Sequence, residues 1–335
     1  MTFMKSVISF VLFVTSSISS FGQENFTIAF GSCNNQKLDN PFWQDIVSLQ
    51  PDVWIWGGDN IYADTNNMRK MKRMYKTQKN IKGYKELSST TPILATWDDH
   101  DYGKNDAGVE FVMKDESQQL FLDFLDVPKD SPRRKQKGVY HSKIFNTKNG
   151  DVKVIVLDTR YFRTALTKGT NGQRFQPNNY NEGTVLGDTQ WKWLTDELTN
   201  STATFTVVVS SIQILSKEHG FEKWGNFPHE VDKLFNLIKE AKSTNVILLS
   251  GDRHISEFSK TTVERLKYPV IDFTSSGLTH AYSSFTSEKN GYRIGRVVNS
   301  LSYGTLLLDL KTKKATLQMR GKDGAILQEI NEIYP

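Results

Sequence analysis

Seven short apolar segments recur along the chain, and each of them ends in a cluster of polar residues. They are 26–30, 52–56, 93–96, 152–157, 204–209, 246–249 and 270–273. Short, nearly continuous apolar runs of this kind predict strands that are buried on both faces. The segments between them have helical spacing at 41–49, 68–85, 116–125, 188–198 and 228–241. This alternation predicts an α/β fold in which helices cover a largely parallel sheet.

The C-terminal part of the chain has a different pattern. Residues 304–310 and 315–319 are predicted strands, and the second alternates strictly between apolar and polar side chains. The segment 321–324, Gly-Lys-Asp-Gly, has the composition of a turn. We therefore predict antiparallel strands that complete a sheet. No linker rich in proline or glycine divides the chain, so residues 23–335 are predicted to form a single domain.

The first 22 residues have the pattern of a secretory signal peptide. Lys5 provides the positive charge, residues 7–14 form the apolar stretch, and Ser20-Phe21-Gly22 places small residues before a cleavage site at Gln23. The alternative is a membrane anchor, but the apolar stretch is too short to span about 30 Å of hydrocarbon as a helix. We therefore expect a secreted or periplasmic protein, with no transmembrane segment after signal removal.

The net charge, the basic segment and the single cysteine limit which substrates, partners and metal ligands are expected. The net charge is +5, which suits an anionic substrate without requiring one. The basic segment 68–85 is predicted to be a solvated helix face, with Met68, Met71 and Tyr75 turned inward. It lacks the interleaved aromatic residues of single-strand binders, so we expect no obligate nucleic-acid partner. Cys33 is the only cysteine, and it is either an inert buried thiol or a metal ligand.

The segment TWDDHDYGKND, residues 96–106, carries a high density of negative charge directly after a predicted strand. Carboxylates that are buried together repel each other and lose hydration, so a cation is expected among them. Ligands of open α/β sheets bind at the carboxyl ends of strands. The residues predicted there are Cys33, Asp59, Tyr62, Asp64, Asp98, Asp99, His100, Asn105, Asp158, Arg160, Asp252, His254 and His280.

This set of donors predicts two different cations. Oxygen ligands combined with imidazole and one thiolate suit a softer transition metal beside a hard, oxygen-preferring ion. Two cations that share a carboxylate are the usual arrangement for hydrolysing phosphate esters. Two structural explanations remain alternatives. One is an extracellular calcium loop, but the EF-hand spacing from Asp99 fails, because Gly103 and Lys104 occupy the positions for an oxygen ligand and for the turn glycine. The other alternative is an acidic surface loop that caps a helix.

Seven motifs along the chain resemble those of the PhoD-like phosphatases (alkaline phosphatase D) of the calcineurin-like metallophosphatase superfamily. They are FGSC, GDNIYAD, TWDDHDYGKND, VLDTRYFR, LGDTQWKWL, SGDRHISE and TSSGLT, in the family's order between residues 30 and 279. The resemblance implies a metallophosphatase-like two-sheet β-sandwich flanked by helices, in four αββα layers, with the metal site at one sheet edge. It also implies an iron ion, ferric in the better-known members, beside calcium, with other divalent metals as alternatives.

The resemblance implies metal-binding roles for particular residues. The implied ligands are Cys33, Asp59, Tyr62, Asp99, Asn105, Asp252 and His254. Among them, Asp59 corresponds to the bridging carboxylate, and Cys33 and Tyr62 correspond to the ligands that hold iron. Asp99 and Asn105 correspond to ligands of the second metal.

Two further residues are candidates for catalysis. His100 stands where superfamily members keep a histidine that stabilises the attacked phosphate or protonates the leaving group. Arg160 is expected to clamp a phosphate oxygen through its two-pronged guanidinium group. Three roles stay open at this point: Asp98 as a brace for its neighbours, Asp158 as a partner of Arg160, and His280 as a site residue or a packing residue.

One stretch departs from the family's pattern, in a loop that is expected to shape the substrate pocket. Members often carry Trp-x-x-Tyr-Pro followed by Arg, whereas this chain has WGNFPHEVDK, with Phe227 in place of Tyr. We predict an exported metal-dependent phosphoesterase that hydrolyses phosphate esters with a metal-activated hydroxide. The alternatives are a phosphodiesterase or phospholipase-type enzyme acting on lipid, nucleic-acid or teichoic-acid diesters, and a calcium-binding surface module without turnover.

Overall fold

The computed structural model describes residues 25–241 and 243–335, and the predicted signal peptide, 1–22, lies outside them. The strands are β1 (Phe26–Gly31), β2 (Val53–Gly57), β3 (Ile93–Thr96), β4 (His141–Thr147), β5 (Gly150–Val156), β6 (Thr167–Lys168), β7 (Phe175–Gln176), β8 (Phe205–Val209), β9 (Val246–Ser250), β10 (Ser256–Thr262), β11 (Pro269–Ser275), β12 (Arg293–Val298), β13 (Tyr303–Asp309), β14 (Lys314–Arg320) and β15 (Ile326–Ile333). The helices are α1 (Trp43–Leu49), α2 (Met68–Lys79), α3 (Lys82–Thr90), α4 (Asp99–Tyr102), α5 (Lys114–Phe124), α6 (Gly187–Thr199) and α7 (Pro228–Glu240).

Two large mixed sheets form the centre of the molecule. The first has six strands in the order β15-β14-β13-β1-β2-β3, and the second has seven in the order β12-β10-β11-β9-β8-β5-β4. Strands β1, β2 and β3 run parallel, as do β5, β8, β9 and β11. Strands β6 and β7 form a separate small hairpin. Helices flank both sheets, so the predicted four-layer αββα sandwich is confirmed.

Side chains of the first sheet alternate between two cores, as the period of two in a strand requires. Ile28 and Ile55 point toward the second sheet and belong to the core between the sheets. Trp54 and Trp56 point the other way, into a core shared with helices α1, α2, α3 and α5. Both indoles are fully buried. Burying such large rings on the outer face holds the helical layer firmly against the sheet.

Each of the seven apolar segments corresponds to a strand, and the predicted bounds differ from the observed ones by at most two residues. The basic segment is not one helix, however. It divides into α2 and α3, because Ile81 has an extended backbone that interrupts the helical hydrogen bonds. Met71 and Tyr75 are buried as predicted, and Met68 is half-buried. The predicted antiparallel C-terminal strands are present and are joined by a third, β15.

The parallel strands of both sheets end at the same side of the molecule. There a single bridge joins Ser32, directly after β1, to Ser276, directly after β11. The backbone N–H of Leu278 also donates to the carbonyl of Ser32 at 3.2 Å. This edge therefore brings together loops from the two sheets. Among the described residues, no helix has the length and apolar character needed to cross a membrane.

Candidate metal centre

The residues at this edge lie on tight loops with strained backbone. Cys33, Asp59, Asp252 and His254 have left-handed conformations, with φ of 58°, 52°, 69° and 55°. Each such non-glycine residue costs of order 1–3 kcal/mol, and such residues cluster at functional sites. Gly58 has a φ of 100°, and a Cβ at this position would lie 2.6 Å from the Cβ of Asp98. Glycine therefore allows the loops after β2 and β3 to approach each other.

Asp59 gathers three of the predicted site residues around one buried carboxylate. Its Oδ2 accepts a hydrogen bond from the Tyr62 hydroxyl at 3.1 Å and lies 3.4 Å from Sγ of Cys33. Its Oδ1 accepts a hydrogen bond from the backbone N–H of His100 at 3.3 Å. The structure thus brings together the thiol, the phenol and the carboxylate of three predicted ligands, and their assignment to iron stays a prediction.

Burial makes the charged forms of these groups unfavourable without a cation. It raises the pKa of the Asp59 carboxyl well above its usual range, and the neighbouring Cys33 sulfur raises this pKa further. Burial also raises the pKa of the Cys33 thiol to about 12. The pKa of the Tyr62 hydroxyl is raised by burial and by the charge of Asp59. A bound cation would favour the charged forms and lower all three pKa values.

Asp99 belongs to two overlapping groups of potential ligands. The ligand atoms of Asp59, Asp99 and His100 all lie within 4.8 Å of one another, and so do those of Asp98, Asp99 and Asp252. The family resemblance implied the bridging role for Asp59. In this geometry Asp99 is the residue that the two groups share, so both carboxylates are candidates for a bridge. The two groups are adjacent, so each could hold a metal ion.

Unpartnered polar atoms mark the same place. Within the described residues, Oδ2 of Asp98 and Nδ1 of His254 are buried and accept or donate no hydrogen bond. A buried polar atom without a partner costs about 1–3 kcal/mol unless a ligand completes it. Asn105 is exposed beside them, and its amide nitrogen donates to Asp106 at 2.8 Å. The site therefore has more carboxylates than nearby positive groups, and it also has unpartnered donor atoms, a thiol and a phenol. Such a set of groups is suited to binding metal ions.

Arg160 lies beneath the candidate metal centre rather than on its surface. The side chain is fully buried, its Nε donates to Asp98 at 2.5 Å, and its Nη1 donates to Glu222 at 2.5 Å. Nε of Arg163 lies 2.8 Å from the same Glu222 carboxylate. These two carboxylates are partners of Nε and Nη1, whereas Nη2 is buried and has no hydrogen-bond partner among the described residues. The phosphate clamp therefore stays a prediction. Asp158 accepts a hydrogen bond from the backbone N–H of Arg160 at 2.9 Å and does not pair with its side chain.

His100 is held in place by a carboxylate and by stacked rings. Its Nδ1 lies 2.8 Å from both carboxylate oxygens of Asp64. The ring nitrogen that does not contact Asp64 is Nε2. The Tyr62 ring packs against the imidazole with centroids 4.2 Å apart. Burial lowers the pKa of His100, but Asp59 and the bond to Asp64 outweigh this effect and raise the pKa to about 10. His280 packs 4.5 Å from the His254 ring, so it lies at the site.

A cavity of about 510 Å³ opens in front of these groups. Its walls include six predicted residues, Asp99, His100, Asn105, Asp252, His254 and His280, and also Asp106, Arg174, Phe221, Glu222, Arg253, Ala281 and Tyr282. Sequence reasoning missed Phe221 and Glu222, because they lie in a loop without a strand or motif beside them. It also missed Tyr282, which lies two residues after His280 and three after the motif TSSGLT, so that motif could have indicated it. Arg253 lies inside the motif SGDRH, so that motif could have indicated it. Phe227 is fully buried and does not line the cavity.

Comparisons with known structures identify the fold as that of metallophosphatases. The structure described as "Structure of PhoD" superposes with a TM-score of 0.73 at 18% identity, covering 92% of this chain and 68% of that chain. A dimetal phosphatase from Danio rerio superposes with a TM-score of 0.55 at 12% identity, covering 92% of this chain and 99% of that chain. At these identities the likeness concerns the fold alone.

Sequence comparison defines the family more closely. The family model of the PhoD-like phosphatases matches residues 28–322, and the chain belongs to this family. Alkaline phosphatase D of Bacillus subtilis (strain 168) is 27% identical over 315 residues, which cover 79% of this chain and 51% of that protein. The chain thus spans about half the length of the curated relative that it matches.

Proposed function

We propose that this protein is an exported metal-dependent phosphoesterase that hydrolyses phosphate esters. One observation carries the proposal: Asp59, Asp98, Asp99 and Asp252 lie together at the meeting edge of the two sheets, with potential ligand atoms within 4.8 Å in two overlapping groups. The family match, the metallophosphatase fold and the cavity in front of the carboxylates support it. The N-terminal pattern of the sequence supports export.

Each part of the chain has a separate task in this proposal. When bound, the metal ions supply positive charge that stabilises the phosphate and lowers the pKa of water. Cys33, Asp59 and Tyr62 would hold iron, and Asp99, Asn105, Asp252 and His254 would complete the site for calcium or another divalent ion. Asp64 orients His100 through Nδ1. Nε2 of His100 then donates a proton to the leaving oxygen.

A panel of phosphate monoesters and diesters, assayed with and without a chelator, tests the proposed function. We expect hydrolysis that the chelator abolishes and that added metal restores. Preference for diesters of lipids, nucleic acids or teichoic acids would favour the second candidate, a phosphodiesterase. A folded, metal-loaded protein that hydrolyses none of the esters would refute enzymatic function and would favour a calcium-binding surface module.

Substituting His100→Ala is expected to retain the metals and to reduce kcat/KM by about 10²–10⁴-fold, the usual effect of losing a positioned general acid. The loss should be smaller for nitrophenyl esters, because nitrophenolate needs little protonation to leave. Asp64→Asn should cause a smaller loss, since an amide can still contact Nδ1. Rates for leaving groups of graded pKa, together with elemental analysis, measure both effects. Equal losses for all leaving groups, or loss of metal, would identify His100 as a charge stabiliser or a ligand.

Iron held by Cys33 and Tyr62 should colour the protein, through charge transfer from thiolate or phenolate to Fe(III). Tyr62→Phe is expected to shift or bleach the visible band, and Cys33→Ser should weaken iron retention. The visible spectrum and a thiol titration, before and after native metal removal, measure these effects. An active, iron-loaded protein that is colourless and whose Cys33 reacts freely would contradict both assignments.

A further inference from the structure

The cavity at the metal centre is much larger than a phosphate group requires. Its volume of about 510 Å³ lies within the range of roughly 300–1,000 Å³ that is typical of pockets for whole organic ligands. Two aromatic side chains, Phe221 and Tyr282, line this cavity, and 38% and 40% of their surfaces are exposed. Isolated exposed aromatic residues are common on proteins, but two in the same functional cavity indicate a binding role.

Phe221 is a fixed platform rather than a mobile side chain. The guanidinium of Arg253 covers its ring, 4.3 Å from the centroid. Both carboxylate oxygens of Glu288 accept hydrogen bonds from Nη2 of Arg253, at 2.8 and 2.6 Å. The backbone N–H of Phe221 donates to Nδ1 of His219 at 3.2 Å. A ring held in this way loses little conformational entropy when a ligand stacks on it.

Tyr282 is tied directly to the metal centre. Its backbone N–H donates to the carbonyl of the candidate ligand His254 at 2.7 Å. Its ring meets Phe285 edge-on, with centroids 6.0 Å apart at 86°. The aromatic side chain therefore lies in the loop beside the place where a phosphate would bind, so an organic group attached to that phosphate would reach it.

Outside the candidate metal ligands, three charged groups of the cavity wall already have partners. Arg253 pairs with Glu288, Arg174 pairs with Asp106, and Glu222 pairs with the buried Arg160. The wall away from the metal centre therefore offers flat aromatic and guanidinium surfaces with little net charge. Such surfaces favour planar π-systems, which stack on aromatic rings and on arginine.

We propose that Phe221 and Tyr282 form a subsite for a planar aromatic group, of the size of a nucleobase, carried by the phosphate ester. This subsite rests on the proposed phosphoesterase function, which supplies the phosphate position, and it adds the chemical class of the organic group. Leu38 and Val112 are also exposed but do not line the cavity, so exposure alone does not define the subsite.

Adenosine 5′-phosphate and ribose 5-phosphate, and the methyl diester of each, test the subsite. Within each pair the leaving oxygen is the same, and only the base differs. We expect kcat/KM to be higher for the adenosine compound. Phe221→Leu and Tyr282→Leu should each lower the ratio of the two values by about 5- to 100-fold, the usual effect of one stacking contact. Tyr180→Leu is the matched control, because Tyr180 is 58% exposed outside the cavity and should leave the ratio unchanged.

Calorimetric titration of the metal-loaded protein with adenosine, and with ribose, separates the subsite from catalysis. Adenosine binding that weakens in Phe221→Leu and Tyr282→Leu would support the subsite even if no ester were hydrolysed, in which case the phosphoesterase function alone would fail. Three results would each overturn the subsite and leave the phosphoesterase function intact. The wild type could show equal kcat/KM for the paired esters, or both variants could leave the ratio of kcat/KM values unchanged. The third result is a protein that hydrolyses the esters but does not bind adenosine.

Discussion

Substituting Asp59→Asn is expected to reduce phosphoester hydrolysis by roughly 10³-fold or more and to lower the metal content of the protein. The reason is that Oδ2 of Asp59 lies beside both the thiol of Cys33 and the hydroxyl of Tyr62. An amide keeps the shape of the side chain but removes the charge that these two groups would share with a cation. Elemental analysis and steady-state kinetics measure the two effects.

The metal-free Asp59→Asn protein should be at least as stable as the metal-free wild type. Burial raises the pKa of this carboxyl, so the charged carboxylate is a cost of folding when no cation is present. Added metal should then raise the melting temperature of the wild type far more than that of the variant. Asp39→Asn makes the same chemical change at an exposed position and should behave as wild type. Full activity and unchanged metal content in Asp59→Asn would refute the assignment of Asp59 as a ligand.

Substituting Arg160→Met is expected to destabilise the protein by about 3–5 kcal/mol, the usual cost of leaving a buried charge without its partner. The guanidinium separates Asp98 from Glu222, and both carboxylates are buried. Urea denaturation of the metal-free protein measures the change. Combining Arg160→Met with Asp98→Asn should recover part of the loss, because the charge of Asp98 is then removed while Glu222 keeps Arg163 as its partner.

Arg174→Met is the matched control for Arg160→Met. Arg174 also pairs with an aspartate of this region, Asp106, but half of its side chain is exposed. Exposed ion pairs contribute about 0–1 kcal/mol, so this variant should unfold near the wild-type urea concentration. If Arg160→Met changed stability no more than Arg174→Met but raised KM for phosphate esters, that result would contradict a purely structural role and would support the predicted phosphate clamp.

Most of the strands that could be predicted lie in the middle of the sheets, and β3, at an edge of the first sheet, is the exception. Strand β9 is buried at every position, so its apolar run is visible in the sequence. Strand β4 lies at a sheet edge and β15 at another, and polar side chains occupy five of the seven positions in β4 and four of the eight in β15. Backbone hydrogen bonds to the neighbouring strand stabilise them, and the pattern of apolar side chains does not indicate this pairing. These edge strands were therefore missed.

In the candidate site, too, some residues could be predicted from the sequence and others could not. Asp59, Asp99 and Asp252 directly follow strands, so the sequence could place them at one edge of the sheets. The burial of Arg160 could not be predicted, because its partner Glu222 lies 62 residues away in a loop without a motif. Phe221 is next to Glu222 in that loop and was missed for the same reason. Long-range pairing of side chains is decided by packing, which local patterns do not encode.

The order of strands in the first sheet means that the candidate metal centre depends on strands that are synthesised after its own residues. Strand β1, which ends two residues before Cys33, pairs with β2 on one side and with β13 on the other. Residues 303–333 contribute no wall to the cavity, yet they supply three of the six strands of that sheet. Until these last residues emerge from the ribosome, β1 is an open edge that can pair with other chains. A chain that stopped after Tyr282 would hold every residue of the candidate metal centre and still lack the strands that keep it in shape.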